Sequence, residues 1–259
     1  MDLGIAGREA LIFGGSRGLG HACAMAVARE GVNVTVVART AKDIEAAAAK
    51  IAKETGVRAT PVAADIRTPE GRAAALKACP NPDILLNNAD GPEPGDFRHW
   101  SREDWIGAFD SMTLGPIEMI RATVDGMMAR GFGRIVNISS RSVKIAQSEI
   151  GLSNAARSAL VGFTAGLARQ TVAKGVTINN LLAGIFDSGA QKRHIEGMLP
   201  ELNKSFEQVW AERAANSPAK RYGDPEEFGA YFAFLCSAKG GYINAQNLLI
   251  DGGAYPGTY

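Results

Sequence analysis

The segment LIFGGSRGLG at residues 11–20 is an apolar run that turns through glycines directly into a helical pattern at residues 21–30. An apolar run bounded by glycines is typical of a buried parallel strand. Such a turn aims free backbone N–H groups and the positive end of the helix at one point, where a phosphate group binds. A side chain would block either the tight turn or the approach of the phosphate, so glycine is required. The segment therefore predicts a phosphate-binding turn.

Two common glycine motifs do not fit this turn. A Walker-type loop needs Lys and then Ser or Thr after its last glycine, and neither follows Gly20. The ordinary dinucleotide fingerprint needs a third glycine at the position of Cys23. The pattern that remains is Gly14-x-x-x-Gly18-x-Gly20.

The composition of the 259-residue chain is that of a globular protein, with 46% hydrophobic residues and a formal net charge of +1. The charge balance gives no basic surplus for binding nucleic acid. The three cysteines and three histidines lack metal-ligand spacing, so no metal site is expected. The amino terminus lacks the pattern of a signal peptide, and no apolar stretch reaches the roughly 20 residues of a membrane helix. We therefore expect a cytoplasmic protein that does not bind membranes.

Strand-like apolar runs alternate with helical patterns along nearly the whole chain. Runs rich in Val, Ile and Leu that are separated by helices indicate a parallel sheet covered on both faces. The expected structure is a single α/β domain, residues 1–259, with a doubly wound Rossmann fold and a parallel seven-stranded sheet between two layers of helices. The predicted strands are 9–13, 33–38, 58–63, 83–87, 133–139, 177–182 and 248–251. The further predicted helices are 42–55, 69–78, 102–130, 153–174 and 225–237.

The longest irregular region extends from Ala183 to Asp224 and contains helical pieces around residues 191–198 and 206–215. A long excursion at the carboxyl end of a strand usually covers a ligand crevice. We therefore expect a substrate lid at about residues 185–222. Its cluster Lys192-Arg193-His194 is expected to be a solvated face, or else to meet a carboxylate or phosphate of the substrate.

The glycine pattern resembles that of the short-chain dehydrogenase/reductase family, a single-domain Rossmann family of NAD(P)-dependent enzymes. Further elements resemble the family in the same order, and the resemblance covers about residues 7–254. They are Asp65-Ile66 after the third strand, Asn87-Asn88-Ala89 after the fourth, Ala183-Gly184 after the sixth, and Ser188 where a Thr usually holds the carboxamide. The resemblance implies cofactor contacts at Gly14, Ser16, Arg17, Gly18, Leu19, Gly20, Arg39, Asp65, Ile66, Asn88, Arg157 and Ser188.

The end of the second predicted strand indicates which nicotinamide dinucleotide binds. Proteins that bind NAD place an acid there to accept hydrogen bonds from the ribose 2′-hydroxyl. This chain has Arg39 at that point and no acid, and Arg17 lies in the glycine turn. Two guanidinium groups at this place favour a 2′-phosphate, so we predict NADP(H) as the cofactor. The alternative is that both arginines are solvated surface residues.

The resemblance also implies a catalytic set of Ser, Tyr, Lys and Asn, from which this chain departs. Ser140 matches the family's serine, but Ser153 stands at the tyrosine position and Arg157 at the lysine position. Met112 stands at the position of the asparagine. We therefore expect an atypical member of the family that lacks its usual Tyr, Lys and Asn.

These substitutions have chemical consequences. A serine hydroxyl has no useful acidity near pH 7, and an arginine keeps its proton, so Arg157 suits a cofactor clamp better than a proton shuttle. Ser153 could hold a water that passes a proton indirectly. Lys144 follows Ser140 by four residues, and we hypothesise that it protonates the substrate oxygen; the alternatives are a solvated lysine or one that binds an anionic substrate group. The predicted catalytic residues are therefore Ser140, Lys144, Ser153 and Arg157.

Two functions from different classes follow. The leading hypothesis is an NADP(H)-dependent oxidoreductase that transfers a hydride between nicotinamide and a ketone or secondary alcohol, with a non-standard proton donor. The alternative is a catalytically silent NADP(H)-binding sensor, or the inactive subunit of a mixed oligomer. The partners expected are a small-molecule substrate and, by the resemblance, further copies of this chain in a homotetramer or dimer.

Overall fold

The computed structural model describes residues 1–258, and in it seven parallel strands form one sheet in the order β3-β2-β1-β4-β5-β6-β7. The predicted doubly wound Rossmann fold is therefore confirmed. Every strand lies within one residue of its predicted bounds at each end. The strands are β1 Glu9–Phe13, β2 Asn33–Ala38, β3 Ala59–Ala63, β4 Ile84–Asn87, β5 Gly133–Ser140, β6 Val176–Ala183 and β7 Asn247–Ile250.

Helices cover both faces of this sheet. They are α1 Gly18–Arg29, α2 Ala41–Thr55, α3 Pro69–Ala78, α4 Arg102–Phe109, α5 Gly115–Arg130, α6 Gly151–Thr171, α7 Gly189–Met198, α8 Phe206–Asn216 and α9 Pro225–Cys236. Helices α1, α2 and α9 pack on one face, and α3, α5 and α6 pack on the other. None of the helices within residues 1–258 has the length and apolar character that would allow it to cross a membrane.

Alternation along each strand explains the two cores. Ala10 and Ile12 of β1 belong to the core beneath α1, whereas Leu11 and Phe13 belong to the core beneath α5. Successive side chains of a strand point to opposite faces, so a strand buried on both sides is apolar at every position. This is why the apolar run at residues 11–13 marked the centre of the sheet.

The predicted helix 102–130 is interrupted. Its α-helical parts α4 and α5 are joined by one wide turn of π-helix, Asp110–Leu114. Such turns are rare and occur mostly at functional sites. Here the turn carries Met112, and Thr113 on it donates a hydrogen bond to the backbone oxygen of Ala156 in α6 (2.7 Å).

A row of asparagines crosses the carboxyl half of the sheet, which the apolar reading of the strands did not predict. The side-chain amide of Asn87 donates to Asn137, that of Asn137 to Asn180, and that of Asn180 to Asn247, each over 2.9 Å. The four residues are direct neighbours in the strand register of β4, β5, β6 and β7. Asn87, Asn137 and Asn180 are fully buried, and the amide chain satisfies most of their polar atoms, whereas the side-chain oxygen of Asn87 has no partner among residues 1–258.

Candidate active site

A cleft of about 890 Å³ lies at the carboxyl ends of the strands. Ligands of open α/β sheets bind at this edge. Most of the predicted site residues line the cleft, whereas Gly20 lies beneath the glycine turn and Lys144 lies outside. The residues that line it are Gly14, Ser16, Arg17, Gly18, Leu19, Arg39, Asp65, Ile66, Asn88, Ser140, Ser153, Arg157 and Ser188.

The glycine turn has the conformation that its sequence predicts. Gly14 and Gly18 have φ values of +66° and +58°, a region that side chains disfavour. A Cβ atom on Gly20 would collide with the backbone oxygen of Gly14, so the third glycine permits the close approach of strand and helix. The side chain of Asn88 packs against Gly14 and Gly20. Arg17 makes no side-chain capping bond to α1 among the described residues, so the first N–H groups of this helix face the cleft without a side-chain partner.

Three arginine–carboxylate pairs define one end of the cleft. Asp90 contacts both Arg39 (3.5 Å) and Arg193 of α7 (3.2 Å). Asp65 is held by Arg67 at 2.6 Å, and this hydrogen-bonded pair lowers the pKa of Asp65. The acid nearest to Arg39 therefore comes from the loop after β4, and it links that loop to α7.

The other end of the cleft brings Ser153 and Arg157 together. Both lie on α6, one helical turn apart, and Arg157 Nε donates to Ser153 Oγ (3.0 Å). Arg157 Nη1 donates to the backbone oxygen of Ile138 (2.9 Å), and Nη2 donates to that of Ala89 (3.3 Å). Burial lowers the pKa of Arg157 to about 10, against a smaller opposing effect of Asp90, so the guanidinium stays charged at neutral pH.

Met112 and Ser140 complete this end. The sulfur of Met112 lies 3.8 Å from Ser153 Oγ, so the π turn brings Met112 to the Ser153–Arg157 pair. Ser140 ends β5, and its Oγ accepts a hydrogen bond from the backbone N–H of Ser142 (3.1 Å). Each serine oxygen thus accepts one bond. The O–H of Ser140 is left to be donated to a ligand, whereas the O–H of Ser153 donates weakly to the sulfur of Met112.

Lys144 does not have the setting that the sequence suggested. Its side chain is exposed to solvent rather than withdrawn from it, and its Nζ lies 5.2 Å from the ring centre of Tyr255. Ser140 is followed by a short 3₁₀ turn, Arg141–Val143, and Lys144 comes directly after this turn and does not line the cleft. The pairing with Tyr255 could not be foreseen, since the two residues lie more than a hundred positions apart.

The segment after β6 places two side chains, Ser188 and His194, in the lining of the cleft. Ser188 caps α7 by accepting a hydrogen bond from the N–H of Gln191 (3.2 Å). His194 of α7 lines the cleft, and its Nε2 lies 3.2 Å from Nη2 of Arg213 on α8. The sequence signal at residues 192–194 indicated a solvated face, and nothing local connects it to Arg213.

Comparisons with known proteins agree with this architecture. Residues 14–255 match a family model described as enoyl-(acyl carrier protein) reductase. The 3-oxoacyl-[acyl-carrier-protein] reductase of Vibrio cholerae serotype O1 is 31% identical over 259 residues, which cover 98% of this chain and 99% of the relative. Oxidoreductase UcpA of Escherichia coli is 32% identical, with 96% and 95% covered.

Solved structures show the same likeness. L-sorbose reductase from Gluconobacter frateurii, complexed with NADPH and L-sorbose, has a TM-score of 0.92 and 28% identity, and the match covers 99% of this chain and 100% of that one. A protein described as a short-chain dehydrogenase/reductase family protein has a TM-score of 0.82 and 30% identity, with 98% and 99% covered. The chain therefore belongs to the short-chain dehydrogenase/reductase family.

Proposed function

We propose that this protein is an NADP(H)-dependent oxidoreductase that transfers a hydride between nicotinamide and a ketone or secondary alcohol. The observation that carries the proposal is a single cleft with a phosphate-binding turn at one end and paired hydroxyl donors at the other. Two relatives support the choice of cofactor. One is described as an NADPH-dependent reductase of Bacillus subtilis, and the other is the L-sorbose reductase that was solved with NADPH.

The cofactor end fits NADP(H) on the chemistry of its own residues. The N–H groups at the start of α1 would bind the pyrophosphate, and Arg17 and Arg39 would bind the 2′-phosphate. Asp65, Ile66 and Asn88 would border the adenosine, and Ser188 and Arg157 would bind nearer the nicotinamide. When bound, the reduced cofactor supplies the hydride to the carbonyl carbon.

The substrate end would stabilise the charge that develops on the carbonyl oxygen. Ser140 and Ser153 each have an O–H available, and donors fixed in advance at this place are worth about 3 kcal/mol in comparable sites. Arg157 orients Ser153 through the 3.0 Å bond to its oxygen. The contact of Ser153 with the sulfur of Met112 is weak and would yield to a substrate oxygen. The alkoxide would take its proton from a water molecule held at Ser153, so we assign no catalytic step to Lys144, whose role as a proton donor stays a hypothesis.

A catalytically silent NADP(H)-binding protein is the second candidate. The observation that favours it is the contact of Met112 and Arg157 with Ser153, three residues that the sequence resemblance aligns with the family's Asn, Lys and Tyr. None of the three releases a proton near neutral pH. Such a protein would sense the cofactor or serve as an inactive subunit of a mixed oligomer.

An NADPH oxidation assay with three carbonyl probes distinguishes the two candidates. The probes are acetoacetyl-CoA, L-sorbose and a cyclic ketone, and turnover is followed by NADPH absorbance. We expect saturable turnover of at least one probe. The double variant S140A/S153A should lose most of this turnover and keep its NADPH affinity. Saturable NADPH binding without turnover of any probe would favour the silent candidate.

Asp90→Asn is expected to tighten NADPH binding about two- to fivefold. The Asp90 carboxylate pairs with Arg39 and Arg193, so it competes with a phosphate for the same cations. All three side chains are partly exposed, which limits the effect to about 1 kcal/mol. Fluorescence titration with NADPH measures the change, which should shrink as salt is added. Asp125→Asn, an exposed change on α5, is the matched control; equal affinity of both variants would contradict the expectation.

We also propose that a lid at about residues 185–222 covers the cleft and that the protein is cytoplasmic.

We further propose that the protein is a homotetramer or dimer. The helices that pair between subunits in this family are the long ones, here the α4–α5 segment and α6. Exposed apolar side chains on these helices support the proposal: Ile106 is 42% exposed, Leu114 49% and Phe163 40%. Light scattering after size-exclusion chromatography gives the mass; a monomer at micromolar concentration would contradict it.

A further inference from the structure

The protonation of His194 in the lid is determined by its neighbour Arg213. The Nη2 atom of Arg213 lies 3.2 Å from Nε2 of His194. A guanidinium group has only donors, so His194 Nε2 must accept this hydrogen bond. The ring proton of the neutral imidazole is then on Nδ1. His194 therefore offers an N–H donor at Nδ1.

The imidazole is neutral at pH 7. Burial is the largest cause, and together with the positive charges of Arg213 and Arg141 it lowers the pKa of His194 to about 4. Glu149 opposes this effect, but its two carboxylate oxygens already accept hydrogen bonds from Gln147 (3.3 Å) and Ser148 (3.4 Å). The donor at Nδ1 is thus uncharged and does not serve as an acid.

The charges of Arg141 and Glu149 that act on His194 come from segments next to the site serines, since Arg141 directly follows Ser140 and Glu149 precedes Ser153 by four residues. His194 lines the same cleft as Ser140 and Ser153. No hydrogen bond to His194 Nδ1 is formed by any residue in the described range 1–258, whereas Nε2 is occupied by Arg213. The nitrogen that carries the proton is therefore the one left for a ligand.

We propose that His194 binds the substrate by donating a hydrogen bond from Nδ1 to one of its oxygen atoms. Arg213 does not line the cleft and acts through His194, so it is a positioning residue. This inference rests on the proposed function, because it names a further contact in the same site. The substrate class that fits is a ketone or alcohol with an oxygen acceptor in reach of the lid. His194 keeps its proton throughout, and the alkoxide is protonated by water.

Kinetics of two matched variants test the contact with substrate. His194→Leu removes the donor, and His194→Asn keeps an N–H donor close to the place of Nδ1. With acetoacetyl-CoA and L-sorbose as probes, we expect His194→Leu to lower kcat/KM about tenfold for the probe that is turned over, and His194→Asn to retain most of it. The NADPH dissociation constant should stay unchanged in both variants. His99→Leu, an exposed histidine outside the cleft, is the control.

A spectroscopic measurement tests the role of Arg213 without turnover. In ¹⁵N-labelled protein, the resonances of the His194 imidazole are those that are absent from the spectrum of His194→Leu. We expect these resonances to show the Nδ1–H form. Arg213→Met should release the ring to the Nε2–H form and raise KM for the carbonyl probe. Arg213→Lys keeps a cationic donor, so it should retain the Nδ1–H form of His194 and a KM close to that of the wild-type protein.

The outcomes separate this inference from the proposed function. NADPH binding without turnover of any probe would overturn the proposed function and the substrate contact with it. Turnover by the wild-type protein with an unchanged kcat/KM in His194→Leu would overturn the contact alone. An Nε2–H resonance for His194 in the wild-type protein would overturn the assignment of the donor.

Discussion

Arg157→Met should lower the free energy of unfolding by about 3 kcal/mol and abolish measurable NADPH binding. The guanidinium donates to Ser153, to the backbone oxygen of Ile138 and to that of Ala89. Methionine fills a similar volume but leaves these acceptors without donors in a partly buried place, which accounts for the loss of stability. The cofactor loses a positive charge that the family places beside its ribose. For a chain of this length, a melting temperature lower by roughly 5 to 10 °C is expected.

Arg169→Met is the matched control for this change. Arg169 lies on the same helix, is exposed, and donates only to the backbone oxygen of Ala165 one turn earlier. Its replacement should leave both NADPH affinity and the melting temperature nearly unchanged. Arg157→Lys should have an intermediate effect, since one ammonium group cannot reach three acceptors that a planar guanidinium spans. If Arg157→Met bound NADPH as tightly as the wild-type protein, the assignment of Arg157 to the cofactor site would be wrong.

Arg39→Ala should weaken NADPH binding roughly 10- to 100-fold and leave NADH binding almost unchanged. A charge-assisted contact with a phosphate is worth about 1.5–3 kcal/mol, and NADH has no 2′-phosphate to lose. Arg17→Ala should act in the same direction. Calorimetric titration with each dinucleotide measures both constants.

The control for Arg39 is Arg58→Ala. Arg58 precedes β3 at the opposite edge of the sheet and pairs with Glu9 at 2.6 Å, so the same charge is removed far from the cleft. It should change neither dissociation constant. A wild-type protein that prefers NADH, or equal losses for both dinucleotides in Arg39→Ala, would contradict the prediction of NADP(H).

Local patterns predicted the fold and the conformation of the glycine turn. Each strand position follows from an apolar run of a few residues, and the glycine turn follows from ten consecutive positions. In each case a single short segment is enough to predict the local structure. Ser153 and Arg157 could also be singled out in the sequence, because the helix that carries them has a recognisable continuation. Their hydrogen bond at 3.0 Å follows from the one-turn spacing on α6.

Contacts between distant segments were not predictable in this way. Asp90 meets Arg39 and Arg193, and His194 meets Arg213, only because the sheet order and the lid bring these segments together. The same holds for Lys144, whose direction depends on how the chain turns after β5. A single sequence contains the residue types but does not contain these pairings. The substrate end of the cleft depends on such long-range pairings more than the cofactor end does.

The asparagine row from Asn87 to Asn247 helps to fix the register of the four strands that carry it. A slip of β5 along its neighbours would break the hydrogen bonds that Asn137 forms with Asn87 and Asn180, at about 1–3 kcal/mol for each group left unmet. The observed register forms all three amide–amide hydrogen bonds of the row. Hence the loops that begin at Asn88, Arg141 and Gly184 leave the sheet at levels that this register sets relative to one another, and the same register sets the spacing between the loop that carries Asp90 and the strand end that carries Ser140.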